Sequence, residues 1–112
     1  TKVRTVCLDF DGVVHSYQSG WQGEEVIPDP PIHKVGLAIE RLRKDYRVVI
    51  FSARCRTEAG CLAIENWLAR HHIEVDEVCR HKPAAHIYVD DRAVRFTGDW
   101  ETTIAEIHEF RK

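Results

Sequence analysis

Apolar residues recur along this chain in two alternating rhythms. Val6-Cys7-Leu8 closes a first strand predicted from Val3 to Asp9, and Arg47-Val48-Val49-Ile50-Phe51 is a β-branched run without polar alternation. Both read as strands covered on their two faces. Between them Ile32, Val35, Ile39, Leu42 and Tyr46 fall three and four residues apart, which predicts a helix opening at Pro30-Pro31 with its charged residues on the other face. A second helix is expected from Thr57 to His72, with Cys61, Ile64, Leu68 and His71 on one stripe and Trp67 beside it. Ile73 to Cys79 reads as a third strand whose acidic residues suit a sheet edge, and His86 to Val89 as a fourth. Val94 and Phe96 alternate with polar residues, Gly98 ends that pattern, and Asp99 can cap a last helix along which Trp100, Ile104 and Ile107 align. His15 to Asp29 has no helical period and is too long for an ordinary connection, so it is expected to be a loop or small hairpin folded over something.

Strands alternating with helices predict an α/β fold: a Rossmann-like three-layer sandwich with right-handed crossovers, a mainly parallel central sheet and helices on both faces. With 112 residues, 44% of them hydrophobic, and no repeat or linker, residues 1–112 are expected to form one domain. A net charge of -2 gives no global attraction to nucleic acid or to an anionic membrane. No apolar run approaches the ~20 residues of a bilayer span, and no signal peptide precedes the first strand, so a soluble, cytoplasmic protein without a membrane partner is expected. Cys7, Cys55, Cys61 and Cys79 include no C-x-x-C pair and are expected to be reduced.

The junctions between strands and loops carry the chemistry. Leu8 gives way to Asp9, Phe51 to Ser52, and Val89 to Asp90 and Asp91. In parallel sheets ligands bind outside the carboxyl ends of the strands, so all three junctions deliver oxygen groups to the same edge. The strand period lets Asp9 and Asp11 converge on one point, although the turn at Gly12 can rotate the second; the plainer reading is an Asp-Gly turn with a solvated Asp9. Two carboxylates about 4 Å apart repel by roughly 4 kcal/mol at an effective dielectric near 20. Such closeness calls for a cation, a proton or a basic side chain. Hard oxygen ligands without a trusted histidine or cysteine cluster favour Mg²⁺, and a metal held by a few carboxylates suits a substrate phosphate. A hydroxyl at Ser52 and an ammonium at Lys82 would then hold phosphoryl oxygens.

The ordered set Asp9-Phe10-Asp11-Gly12, Ser52 after a hydrophobic strand, Lys82, then Asp90-Asp91 resembles the four motifs of the haloacid dehalogenase superfamily of phosphohydrolases, in their capless, minimal form. The resemblance spans nearly the whole chain. It implies Mg²⁺-dependent hydrolysis of a phosphomonoester, with Asp9 as nucleophile, Asp11 as acid and base, and Ser52 and Lys82 on the phosphoryl group. It also implies a metal held by Asp9, Asp11 through its backbone carbonyl, and Asp90 or Asp91. No interval is long enough for a full cap domain, which leaves residues 15–29, with Trp21, as a small lid. Arg54 and Arg56 follow Ser52 closely and have two equal readings, contact with a second phosphate or a nucleotide, or a solvated loop. The open site suits a small phosphate ester, a nucleotide or a nucleic-acid end. Competing readings are a polynucleotide-end phosphatase, a receiver-like phosphoacceptor that keeps its aspartyl phosphate, and a noncatalytic phosphate-binding module.

Overall fold

The computed structural model describes residues 4–111, so Val3 lies outside the described residues. Strand β1 runs over Thr5–Leu8, β2 over Arg47–Phe51, β3 over Glu77–Cys79 and β4 over Ile87–Val89. They form one sheet in the order β3-β2-β1-β4, and every pair is parallel. Val6 lies opposite Val48 and Ile87, and Leu8 opposite Ile50 and Val89, so these side chains share one face. Helices α1 (Val35–Leu42) and α2 (Glu58–Arg70) both pack on that face, where Val6, Leu8, Val48 and Ile50 meet Ile39, Ile64, Trp67 and Leu68. The remaining helix is α3, Trp100–Glu109.

Helices on both faces of the sheet were the expectation; α1 and α2 lie together on one of them. The chain moves from β1 to β2 to β3 in one direction, and two right-handed crossovers in the same direction put both helices on the same side. Only the return from β3 to β4 crosses the opposite face. Residues 80–86 make that return without a helix. Three strand spacings are about 14 Å, which seven extended residues cover with length to spare. The face they cross buries Cys7, Val49 and Cys79 against Phe51 and Ala85, with no helical residue in the cluster.

Several boundaries move for identifiable reasons. Helix α1 begins at Val35 and not at Pro30, because Pro31 pairs with His15 and the Ile32 N–H donates to the Val14 carbonyl at 2.8 Å. Lys34 then turns through φ 67 to start the helix. Strand β3 is shorter than expected: the Ile73 N–H closes α2 on the Leu68 carbonyl, and pairing with β2 starts only where the Asp76 N–H meets the Val48 carbonyl. The Asp76 carboxylate also accepts from the Val48 N–H at 2.7 Å and from Arg43 at 3.0 Å. Val94 and Phe96 form no strand. Asp99 does cap α3, accepting from the Glu101 N–H at 3.1 Å, but the aligned stripe faces outward, with Trp100 65%, Ile104 50% and Ile107 55% exposed. No helix among the described residues is long and apolar enough to cross a membrane.

All four cysteines are free and buried, and burial pushes Cys55 up to about 12 and Cys79 up to about 11. A glycine holds the other critical packing contact. At Gly60, in the first turn of α2, an added Cβ would lie 1.9 Å from the Arg54 carbonyl oxygen. Gly60→Ala is therefore expected to cost about 3 kcal/mol through backbone overpacking, read as a lower urea midpoint with unchanged slope.

Candidate active site

Strand order places β2 and β3 on one side of β1 and β4 on the other, so β1 is the point where the winding reverses. Crevices form at such points outside the carboxyl ends of the strands. Asp9 leaves β1 there, its N–H still paired to the Val89 carbonyl at 2.9 Å, and Asp90 and Asp91 leave β4 alongside. Each of these three residues offers a carboxylate oxygen within 4.8 Å of the other two. The Asp90 carboxylate accepts the Arg92 N–H at 2.8 Å and so shapes the turn after β4. Asp91 packs onto Gly12, whose φ of +88 and missing side chain admit it: a Cβ there would lie 2.1 Å from the Asp91 Oδ2.

This crowding is visible in the proton affinity of Asp9, which is pushed from 3.8 up to about 6. Burial is the largest cause and the charge of Asp90 the second; a backbone N–H from Phe10 opposes them, and Asp91 and Asp11 add smaller repulsions. A hard cation fits these residues, since three carboxylates offer oxygens within 4.8 Å of one another.

The second carboxylate goes elsewhere. After Asp9 the buried Phe10 carbonyl gathers the N–H groups of Val13, Val14 and His15, a tight turn that swings Asp11 away from the trio. Its side chain accepts Arg54 Nε on Oδ2 at 2.9 Å, Arg54 Nη2 on Oδ1 at 3.1 Å, and His15 Nδ1 on Oδ1 at 2.8 Å. His15 is fully buried and stacked on Phe10. The Asp29 N–H donates to its Nε2 at 3.1 Å, which leaves the ring proton on Nδ1 to be given to Asp11. Asp29 in turn accepts both the N–H and the hydroxyl of Ser19, and its carbonyl accepts Trp67 Nε1 at 3.2 Å.

Arg54 is not available to a second phosphate, which corrects that expectation. It is fully buried, and beyond Asp11 its Nη1 donates to the carbonyls of Gly23, Glu24 and Val26 at 2.9, 2.9 and 3.1 Å. The guanidinium also lies 4.9 Å from the centre of the Trp21 ring. Arg56 is exposed and paired to Glu24, outside the cleft lining. Within residues 15–29, His15 and Asp29 are buried and joined by a hydrogen bond, while Ser16, Tyr17 and Trp21 between them line the crevice.

An open cleft of about 540 Å³ is lined by Asp9, Asp11, Gly12, Trp21, Ser52, Asp91 and Arg92, among others. A smaller hollow of about 130 Å³ shares Asp9 and Ser52 and adds Lys82, Tyr88 and Asp90. Ser52 is buried, and its hydroxyl accepts the Arg54 N–H at 3.1 Å. The Lys82 ammonium sits 4.7 Å over the Tyr88 ring, while the Tyr88 hydroxyl donates to the Pro83 carbonyl and accepts the Ala85 N–H. Depressions of comparable size beside α1 and between α2 and β3 contain none of these groups.

Of the sequence-predicted residues, Asp9, Asp11, Trp21, Ser52, Lys82, Asp90 and Asp91 reach the two hollows, while Arg54 and Arg56 do not. His15, Tyr88 and the packing role of Gly12 escaped sequence reasoning. A histidine four residues after Asp11 was the available signal for His15. No protein-family model, curated protein or solved structure matches the chain. Fold and site together define an α/β protein with a four-stranded all-parallel sheet and a carboxylate cluster at its switch point.

Proposed function

We propose that the chain is a Mg²⁺-dependent phosphomonoesterase that works through an aspartyl phosphate on Asp9, on the Rossmann-like plan its haloacid dehalogenase resemblance implies. The observation that carries this reading is the convergence of Asp9, Asp90 and Asp91 where two hollows share Asp9 and Ser52, the smaller of them lined by Lys82 as well. Asp9, Asp90 and Asp91 would hold the cation, whose positive charge would keep Asp9 ionised and offset the charge of the phosphoryl oxygens. Asp9 attacks phosphorus, and the bond from phosphorus to the ester oxygen breaks. Asp11 gives that oxygen a proton and gives up one of its three N–H contacts while it carries it. Water then attacks the aspartyl phosphate, its proton passes to Asp11, and inorganic phosphate leaves. Ser52 and the ammonium of Lys82 take the non-bridging oxygens throughout.

A panel of phosphate esters, assayed with Mg²⁺ and with a chelator, tests this directly. Turnover is expected with Mg²⁺ and is expected to fall by about two orders of magnitude or more without it. Undiminished turnover in chelator overturns the metal assignment. Stable phosphorylation by a small phosphodonor, with no ester turned over, would favour the receiver-like reading.

A further inference from the structure

Arg54 holds two things at once. One edge of its guanidinium, Nε and Nη2, grips the Asp11 carboxylate, and the remaining nitrogen, Nη1, binds the carbonyls of Gly23, Glu24 and Val26 in the loop above the cleft. The group is planar and rigid, so its two edges cannot reorient independently. On its face lies Trp21, half-exposed and part of the cleft wall where the ester's leaving group would sit. Its own backbone is fixed as well, because its N–H is bound to the Ser52 hydroxyl and its carbonyl packs against Gly60. We propose that Arg54 is a positioning residue that couples the loop at Trp21–Ile27 to the orientation of Asp11, so that seating of the leaving group on Trp21 sets the acid beside the oxygen it must protonate. The proposal rests on the phosphomonoesterase reading.

General structural support and this specific coupling differ in what they do to different esters. An aryl phosphate leaves with little need for a proton, whereas an alkyl phosphate depends on one. In Arg54→Lys, which keeps the charge but loses the fork, the ratio of alkyl to p-nitrophenyl phosphate turnover is expected to fall about 30-fold or more. Coupling is also reciprocal. Asp11→Asn, with Arg54 intact, is expected to speed amide hydrogen exchange at residues 23–27 about tenfold, while the amides of β1 and β2 are unchanged. Equal losses on both esters, or a loop that ignores Asp11→Asn, overturn the proposal. A wild-type protein that turns over neither ester defeats the phosphatase reading instead, and the exchange measurement then still decides whether Arg54 links loop and carboxylate.

Discussion

Asp9→Asn is expected to abolish turnover and, in the absence of divalent cations, to make the protein more stable. The activity loss follows from the nucleophile role proposed for Asp9: an amide oxygen would not form an aspartyl phosphate, so kcat is expected to fall by about four orders of magnitude or more. The stability gain follows from the crowding. In the folded state Asp9 binds its proton at about 6, against 3.8 without that environment, chiefly through burial and then through Asp90. Because the folded protein holds this proton more tightly, the contribution of Asp9 to stability is most favourable below about pH 4, declines as pH rises to about 6, and then levels off. The gap corresponds to roughly 3 kcal/mol at most. Asp9 is half-buried, and solvent screening brings this to about 1–2 kcal/mol. Asparagine removes the charge and recovers that amount at pH 7. With Mg²⁺ the ranking is expected to reverse, since wild type, with three carboxylates and not two, gains more free energy from binding the cation. Thermal melts at pH 4 and pH 7, with Mg²⁺ and with chelator, check the pattern. An Asp9→Asn protein equal to wild type in all four conditions would remove the electrostatic account of the site.

The sheet was legible because burial speaks through composition. The run from Arg47 to Phe51 is bounded in the structure as the pattern predicted, and Asp9, Ser52, Asp90 and Asp91 all lie at strand ends. Less legible were contacts that a linear pattern does not encode. Asp9 and Asp11 share a strand period, yet the Phe10 turn separates them, and the partner that Asp11 takes is 43 residues away. Arg54 reads in sequence as one more loop cation, because nothing local announces that three carbonyls and a carboxylate will enclose it. The stripe on α3 misleads in the opposite direction. Its period is that of a packed helix, but a period says only that one face is apolar, not that anything in the chain covers it.

Gly12→Ala is expected to damage the proposed metal site while Gly20→Ala, a substitution of the same backbone class, leaves it alone. Both glycines sit at positive φ, +88 and +74, so each alanine carries a backbone cost of about 1–2 kcal/mol. Their surroundings differ. Nothing lies within 4 Å of a Cβ built at Gly20, whereas at Gly12 the new carbon would stand 2.1 Å from Asp91 Oδ2 and 2.7 Å from its Cγ. A short carboxylate side chain cannot yield that distance without turning out of the cluster, so one of three oxygen donors is lost from the trio with Asp9 and Asp90. Titration with Mn²⁺ is expected to show an affinity loss on the order of 10- to 100-fold for Gly12→Ala, the range seen when the support of a metal ligand is removed. Gly20→Ala should bind as wild type does while melting at a similarly lowered temperature. The pairing separates ligand displacement from general destabilisation. Equal Mn²⁺ affinity in the two variants would mean that Asp91 does not hold the metal, leaving the site to Asp9 and Asp90.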